Sequence, residues 1–186
     1  MIRAVEKVRE RLLRATAALE KAGLPYAVAG GNAVAAWVSR VDESAVRNTP
    51  DVDVLLGRSD FEAAKAALTS AGFVHERAGG VDHFLDGPQG KVRDGVHVAF
   101  ASENVRADHV ARVPNLSEAT PAGSAHPFRV LPLEALVQMM LTSYRRLDRV
   151  LLRDLIDVGL LDADWCPRLP PELAARLQEL IEDPEG

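Results

Sequence analysis

Asp51 and Asp53, in the run DVDVLL, are the residues of this chain whose type and spacing best suit chemistry. If that run is a strand, residues i and i+2 share one face and stand roughly 6–7 Å apart along the chain. Carboxylates so placed converge on one divalent ion; without a cation or a shared proton, their like charges repel. Mg2+ (or Mn2+) suits such a pair, because a hard ion takes one or two carboxylates and fills its remaining positions with water and phosphate oxygens. About twenty residues earlier, Gly30-Gly31 stands before the apolar segment 33–38. Two glycines ahead of a helix N-terminus let backbone N–H groups approach a phosphate, and the helix dipole favours the anion. A phosphate grip followed by a metal-holding pair describes a nucleoside triphosphate site, where catalysis is largely positioning and charge neutralisation.

The elements that must position these residues follow from periodicity. Ile2, Val5, Val8, Leu12, Ala15 and Leu19 recur at gaps of three and four. They predict an amphipathic helix over 2–22, stopped by Gly23 and Pro25. The short apolar run 26–29 predicts a buried strand. Asn32 is expected to cap a short helix over 33–38, with Trp37 in the core. Residues 51–56 form the expected Asp-bearing strand. Ser59 and Glu62 predict a capping box on a helix that reaches Ser70 and stops at Gly72. Strands are expected over 73–77, 82–86 and 92–101. In the last, Val96, Val98 and Phe100 share one face, and Gly95, His97 and Ala99 the other. The proline-containing stretch 102–130 predicts a long connection. Helices are expected from Pro132 to about 147, over 149–158, and over 171–182. This order predicts an α/β (α+β) fold, a mixed β-sheet flanked by helices. The expected division is an α/β core over 1–128 with a helical C-terminal segment over 129–186 packed on it.

Composition narrows the function classes. Apolar residues make up 47 % of the 186 residues, enough to offset the entropy of ordering the chain, so disorder as the main state is excluded. With 22 Lys and Arg against 27 Asp and Glu, the net charge is −5, which disfavours duplex DNA as a backbone-gripped partner. The single cysteine, Cys166, supports neither an internal disulfide nor a thiolate metal site, and packing is its expected role. The charged N-terminal region has no apolar signal segment, and no stretch is long and apolar enough to span a membrane. A soluble, cytoplasmic protein with no membrane partner is expected.

AGGNAVAAW (29–37) followed by AVRNTPDVDVLL (45–56) resembles the nucleotidyltransferase superfamily, whose pattern is a glycine turn, a helix and an Asp-x-Asp strand. More narrowly, the chain is similar to the minimal nucleotidyltransferases and the AbiEii-like toxin proteins. The resemblance continues in GVHVAFASENV (95–105) and in the helical segment 131–160. It implies a nucleotidyltransferase-like sheet and transfer of a nucleotidyl group from a nucleoside triphosphate to a hydroxyl on RNA, protein or a small molecule. It also implies a cognate antitoxin as a partner. Gly30, Gly31 and Asn32 would contact the triphosphate, Asp51 and Asp53 would hold Mg2+, and Arg47 and Thr49 would contact phosphate or acceptor. Two positions depart from the family pattern. His97 stands where a third carboxylate is usual, and as a neutral imidazole it can assist catalysis by accepting a proton near pH 7. Met140 stands where a helical Lys is usual, leaving Lys91, Arg93, Arg145 or Arg149 to compensate.

Other readings compete. A dinucleotide site also places glycines after a first strand, but AGGNAVA lacks G-x-G-x-x-G, and Asp51/Asp53 is not a single acid at a strand end. A degenerate nucleotidyltransferase fold that binds a nucleotide or a partner without turnover would follow from the two departures. The charged cluster over 145–157 reads as an ion network between helices. His75, His83, His109 and His126 lack metal-ligand spacing and read as surface residues.

Overall fold

In a computed structural model, described over residues 2–103, 111–116, 120–121 and 126–183, the apolar stripe of the first helix, α1 (Ile2–Lys21), buries Leu12, Ala15 and Leu19. It is followed by β1 (Tyr26–Ala29), α2 (Gly30–Val38), β2 (Val52–Leu56), α3 (Phe61–Ser70), β3 (Val74–Ala78), β4 (Val81–Leu85) and β5 (Val96–Phe100). Then come β6 (Thr120–Pro121), β7 (Arg129–Val130), α4 (Leu133–Ser143), α5 (Arg146–Asp157) and α6 (Pro171–Glu182). The strands form one mixed sheet of order β3-β4-β5-β2-β1-β7-β6. β2 runs parallel to β5 and antiparallel to β1, and β7 runs parallel to β1. Helix α1 packs on α3, β2 and β5, while α2 packs on β1 and β2 and meets α4 and α5. Among the described residues, no helix is long and apolar enough to cross a membrane.

The α/β sheet expected from patterning is present. Valines 96 and 98 and Phe100 are buried while His97 and Ala99 are half-buried, as the period of two requires. Several local expectations are corrected. Helix α2 begins at Gly30, so Asn32 lies in its first turn rather than capping it. The residue ahead of it, Ala29, is extended and makes no side-chain cap. No capping box forms at Ser59 and Glu62, because a 3₁₀ turn over Arg58–Asp60 leads directly into α3. The described part of the long connection contributes β6 and β7, each too short to carry an alternation signal. Helix α4 stops at Ser143 because Tyr144 turns left-handed (φ 45°). The Tyr144 hydroxyl there donates to the Arg176 carbonyl at 3.1 Å, tying the turn to α6.

Strand β2 is the one to protect, since it lies between β5 and β1 and carries Asp53. Its Leu55 is fully buried. Leu55→Ala is expected to cost about 2–5 kcal/mol. At Val41, which is exposed, Val41→Ala should stay within about 0.5 kcal/mol. Urea denaturation midpoints of the two variants measure the difference.

Candidate active site

Parallel pairing of β2 with β5 puts Asp53 directly beside His97, and Asp51 lies one residue before β2. His97 Nδ1 is 3.6 Å from Asp53 Oδ1 and 3.8 Å from Asp51 Oδ2. The opposite ring nitrogen, Nε2, donates to the Val92 carbonyl at 2.7 Å. Asp51, Asp53 and His97 each offer one ligand atom, and these atoms lie within 4.8 Å of one another. Two carboxylate oxygens and an imidazole nitrogen at that separation fit a divalent ion. The Asp53 carboxylate, more than any other neighbour, raises the His97 pKa against the opposing effect of burial; the Val92 carbonyl and Asp51 add to the rise. Protonated, the ring neutralises part of the charge of the two acids. Neutral, with its hydrogen on Nε2, it turns a lone pair toward the same space.

Several contacts hold the acids in place. Buried Arg11 of α1 donates to the Pro50 carbonyl at 3.0 Å, immediately before Asp51. The Asn32 amide donates to the Asp51 carbonyl at 2.7 Å. The Thr49 hydroxyl donates to the Asp51 carboxylate. The two glycines have a steric role as well. Gly30 has φ +58°, and a Cβ there would overlap the Asp53 carboxylate. A Cβ on Gly31 would lie 2.8 Å from Thr49 Cβ, so the missing side chain lets Thr49 reach Asp51. Of the residues expected to touch substrate, Asn32 and Thr49 are therefore engaged with Asp51. Arg47 is elsewhere: its guanidinium pairs in two-pronged fashion with Asp154 of α5, at 2.7 and 2.8 Å.

Beside the acids opens a cleft of about 340 Å³, lined by Ala29, Asp53, His83, His97, Arg112, Met139, Thr142, Ser143 and Arg145 among others. Met140 is buried in the core rather than facing this space. Two cations line the cleft, Arg112 and Arg145, the latter at the junction between α4 and α5. Asp148, itself buried, accepts from Arg145 Nε at 2.9 Å and Nη2 at 3.2 Å, and from the Ser143 hydroxyl at 2.7 Å. That pairing, reinforced by the charges of Asp53 and Asp51, raises the Arg145 pKa further above its ordinary value. Arg93 pairs with Asp94 at the surface and Arg149 lies over the Tyr144 ring, away from a compensating role at the acids. Lys91 is exposed.

His83 departs from the surface role expected of it. It sits opposite His97 in the β4–β5 ladder, is buried, and packs edge-to-face on the His97 ring at 4.8 Å. Its Nε2 donates to the Ala78 carbonyl at 3.3 Å, and its Nδ1 has no hydrogen-bond partner among the described residues. Burial, followed by the neighbouring His97, lowers its pKa. The alternation of β4 against β5 was the signal that could have placed it here. His75 is half-buried against Asp82 at 2.9 Å, and His126 approaches the Ser39 hydroxyl. His109 lies outside the described residues.

No protein-family model matches the sequence, and no curated protein matches it. Solved structures do match. The solution structure of the antibiotic-resistance factor ANT(2'')-Ia aligns with 97% of this chain and 93% of its own, at 16% identity and a TM-score of 0.54. The crystal structure of an antigenic nucleotidyltransferase-like protein from Paracoccidioides brasiliensis aligns with 97% of this chain and 89% of its own, at 15% identity and a TM-score of 0.54. At such identities the likeness shows the fold alone, and that fold is the nucleotidyltransferase fold expected from the sequence.

Two substitutions test this geometry. Gly30→Ala should displace the Asp53 carboxylate and weaken divalent-ion binding about ten-fold or more, read by Mn2+ titration. Arg47→Ala should lower stability by about 1 kcal/mol while leaving ion binding unchanged. A weakened nucleotide affinity at unaltered stability would instead make Arg47 a substrate contact.

Proposed function

We propose that this chain transfers a nucleotidyl group from a nucleoside triphosphate to an acceptor hydroxyl. The observation that carries the reading is the convergence of Asp51, Asp53 and His97 beside Gly30 at an open cleft. The fold shared with nucleotidyltransferases supports it. A divalent ion bound at the acids, Mg2+ or Mn2+, would neutralise phosphate charge and make the acceptor hydroxyl a better nucleophile. Asp51 and Asp53 hold that ion. Thr49 and Asn32 orient Asp51, while Gly30 and Gly31 give the acids and the phosphates room at the start of α2. Arg145 supplies the positive charge that Met140 does not. In the transfer, the acceptor oxygen bonds to the α-phosphorus, the bond to the bridging oxygen breaks, and pyrophosphate leaves with the electron pair. The hydroxyl proton passes to His97 or to water.

The cleft also bears on the acceptor. Among the described residues lining it, Asp53 is the one carboxylate, whereas Arg112 and Arg145 are both cationic. A neutral or anionic hydroxyl compound, RNA included, fits this lining better than a polycation. An AbiEii-like role with a cognate antitoxin extends the reading on the sequence resemblance alone. The competing reading, a nucleotide- or partner-binding module without turnover, draws on His97 replacing a third acid. The presence of Arg145 at the cleft weighs against it.

The test is to incubate the chain with labelled triphosphates, Mg2+ or Mn2+, and candidate acceptors. Wild type should release pyrophosphate, and Asp53→Ala should lower the rate at least about a hundred-fold. Equal rates would remove the enzyme reading. Triphosphate binding by calorimetry without pyrophosphate release would support the module.

A further inference from the structure

We infer that His97 makes this a mixed oxygen–nitrogen metal centre that takes a transition-metal ion, Mn2+, Co2+ or Zn2+, in preference to Mg2+. The inference rests on the reading that Asp51 and Asp53 hold the ion, and it concerns what the third group does. The hydrogen bond from His97 Nε2 to the Val92 carbonyl, at 2.7 Å, keeps a proton on that nitrogen. In the neutral ring the lone pair is then on Nδ1, the atom facing Asp53 and Asp51 at 3.6 and 3.8 Å. Ligand atoms bound at about 2.1 Å to a shared ion stand about 3.0–3.4 Å apart for angles between right and tetrahedral. The two His97 distances exceed that by a few tenths of an ångström, and all three donor atoms lie within 4.8 Å of one another, so side-chain rotation of the acids would close them on one centre. A backbone carbonyl on the far ring nitrogen is also the usual partner of a metal-binding histidine, since it fixes tautomer and ring orientation.

The chemistry of the donors sets the choice of ion. Mg2+ is hard, is held chiefly by charge, and gives up water reluctantly for nitrogen. Exchanging a third carboxylate for imidazole removes one negative charge and offers a nitrogen. That weakens the site for Mg2+ and strengthens it for ions that bond well to imidazole. With Nδ1 bound to the ion, the ring has no free nitrogen to accept the hydroxyl proton. His97 is then a ligand and the proton goes to water.

The experiment uses the full chain stripped with a chelator and reloaded with Mn2+ alone. Free Mn2+ is counted by electron paramagnetic resonance, and Zn2+ and Mg2+ are added as competitors. Bound Mn2+ in wild type should show spin-echo modulation from a coordinated nitrogen. His97→Asp should abolish that modulation and move the Zn2+-over-Mg2+ preference toward Mg2+ by about ten-fold or more. His97→Asn should also lose the modulation, but without gaining Mg2+ affinity. Circular dichroism checks that both variants are folded, and Asp53→Asn confirms that the ion counted is the one at this site. If Mn2+ binds in an Asp53-dependent way with no nitrogen coupling, or if His97→Asp leaves the preference unchanged, the assignment of His97 is overturned and the metal-holding role of the acids stands. If no ion binds to wild type, with or without a non-hydrolysable triphosphate, the metal reading itself falls and this inference with it.

Discussion

Asp51 and Asp53 repel each other, and among the described residues neither is given an arginine ion pair. Several other acids of the protein are held by arginine. Asp86 is paired with Arg11 and Arg14, Glu103 with Arg58, Asp148 with Arg145 and Asp154 with Arg47. Among the described residues, the ion-pair partner of the two site acids is His97 alone, at 3.6 and 3.8 Å. An imidazole can surrender its proton to make way for an ion, whereas a guanidinium remains charged and would occupy the site. Beside Asp51 and Asp53, by contrast with those arginine-held acids, stands a group that can lose its charge.

Keeping the two carboxylates in this state falls to the backbone. Parallel pairing of β2 and β5 fixes Asp53 against His97, and sheet registers are rigid because a slip of one residue would turn every side chain to the opposite face. Arg11 and Asn32 hold the carbonyls of Pro50 and Asp51, so the turn into β2 is anchored from α1 and from α2. The glycine pair acts by what it lacks. With any side chain at 30, the Asp53 carboxylate would have to move. A feature that reads as a phosphate loop therefore also shapes the acid pair.

The positive charge of the cleft comes in part from a helix junction. Met140 packs in the core, and the guanidinium of Arg145 appears where the left-handed Tyr144 breaks α4 from α5. Asp148 holds that guanidinium in a fixed pose while drawing on the Ser143 hydroxyl. The charge that a guanidinium brings to a cleft depends on distance and burial rather than on the element that supplies it.

Much of this is legible in the sequence. Short-range periodicity places Asp51 and Asp53 in one strand region, sets His97 on the face opposite Val96 and Val98, and orders the helices and strands of the α/β sheet. These features depend on alternation and helical repeat, which are properties of neighbouring residues. The roles of Arg47 and His83 were not legible. Arg47 meets Asp154 across 107 residues of sequence, and His83 reaches His97 only because β4 and β5 pair. Nor could the start of α2 at Gly30 be read, since Gly30 adopts its positive φ where only a bare backbone clears Asp53. Local pattern alone settles which side chains share a face and which chemistry they carry. The pairing of distant segments decided that Asp154 receives the guanidinium of Arg47 while Asp53 lies beside His97, because those partners are far apart along the chain and close in space.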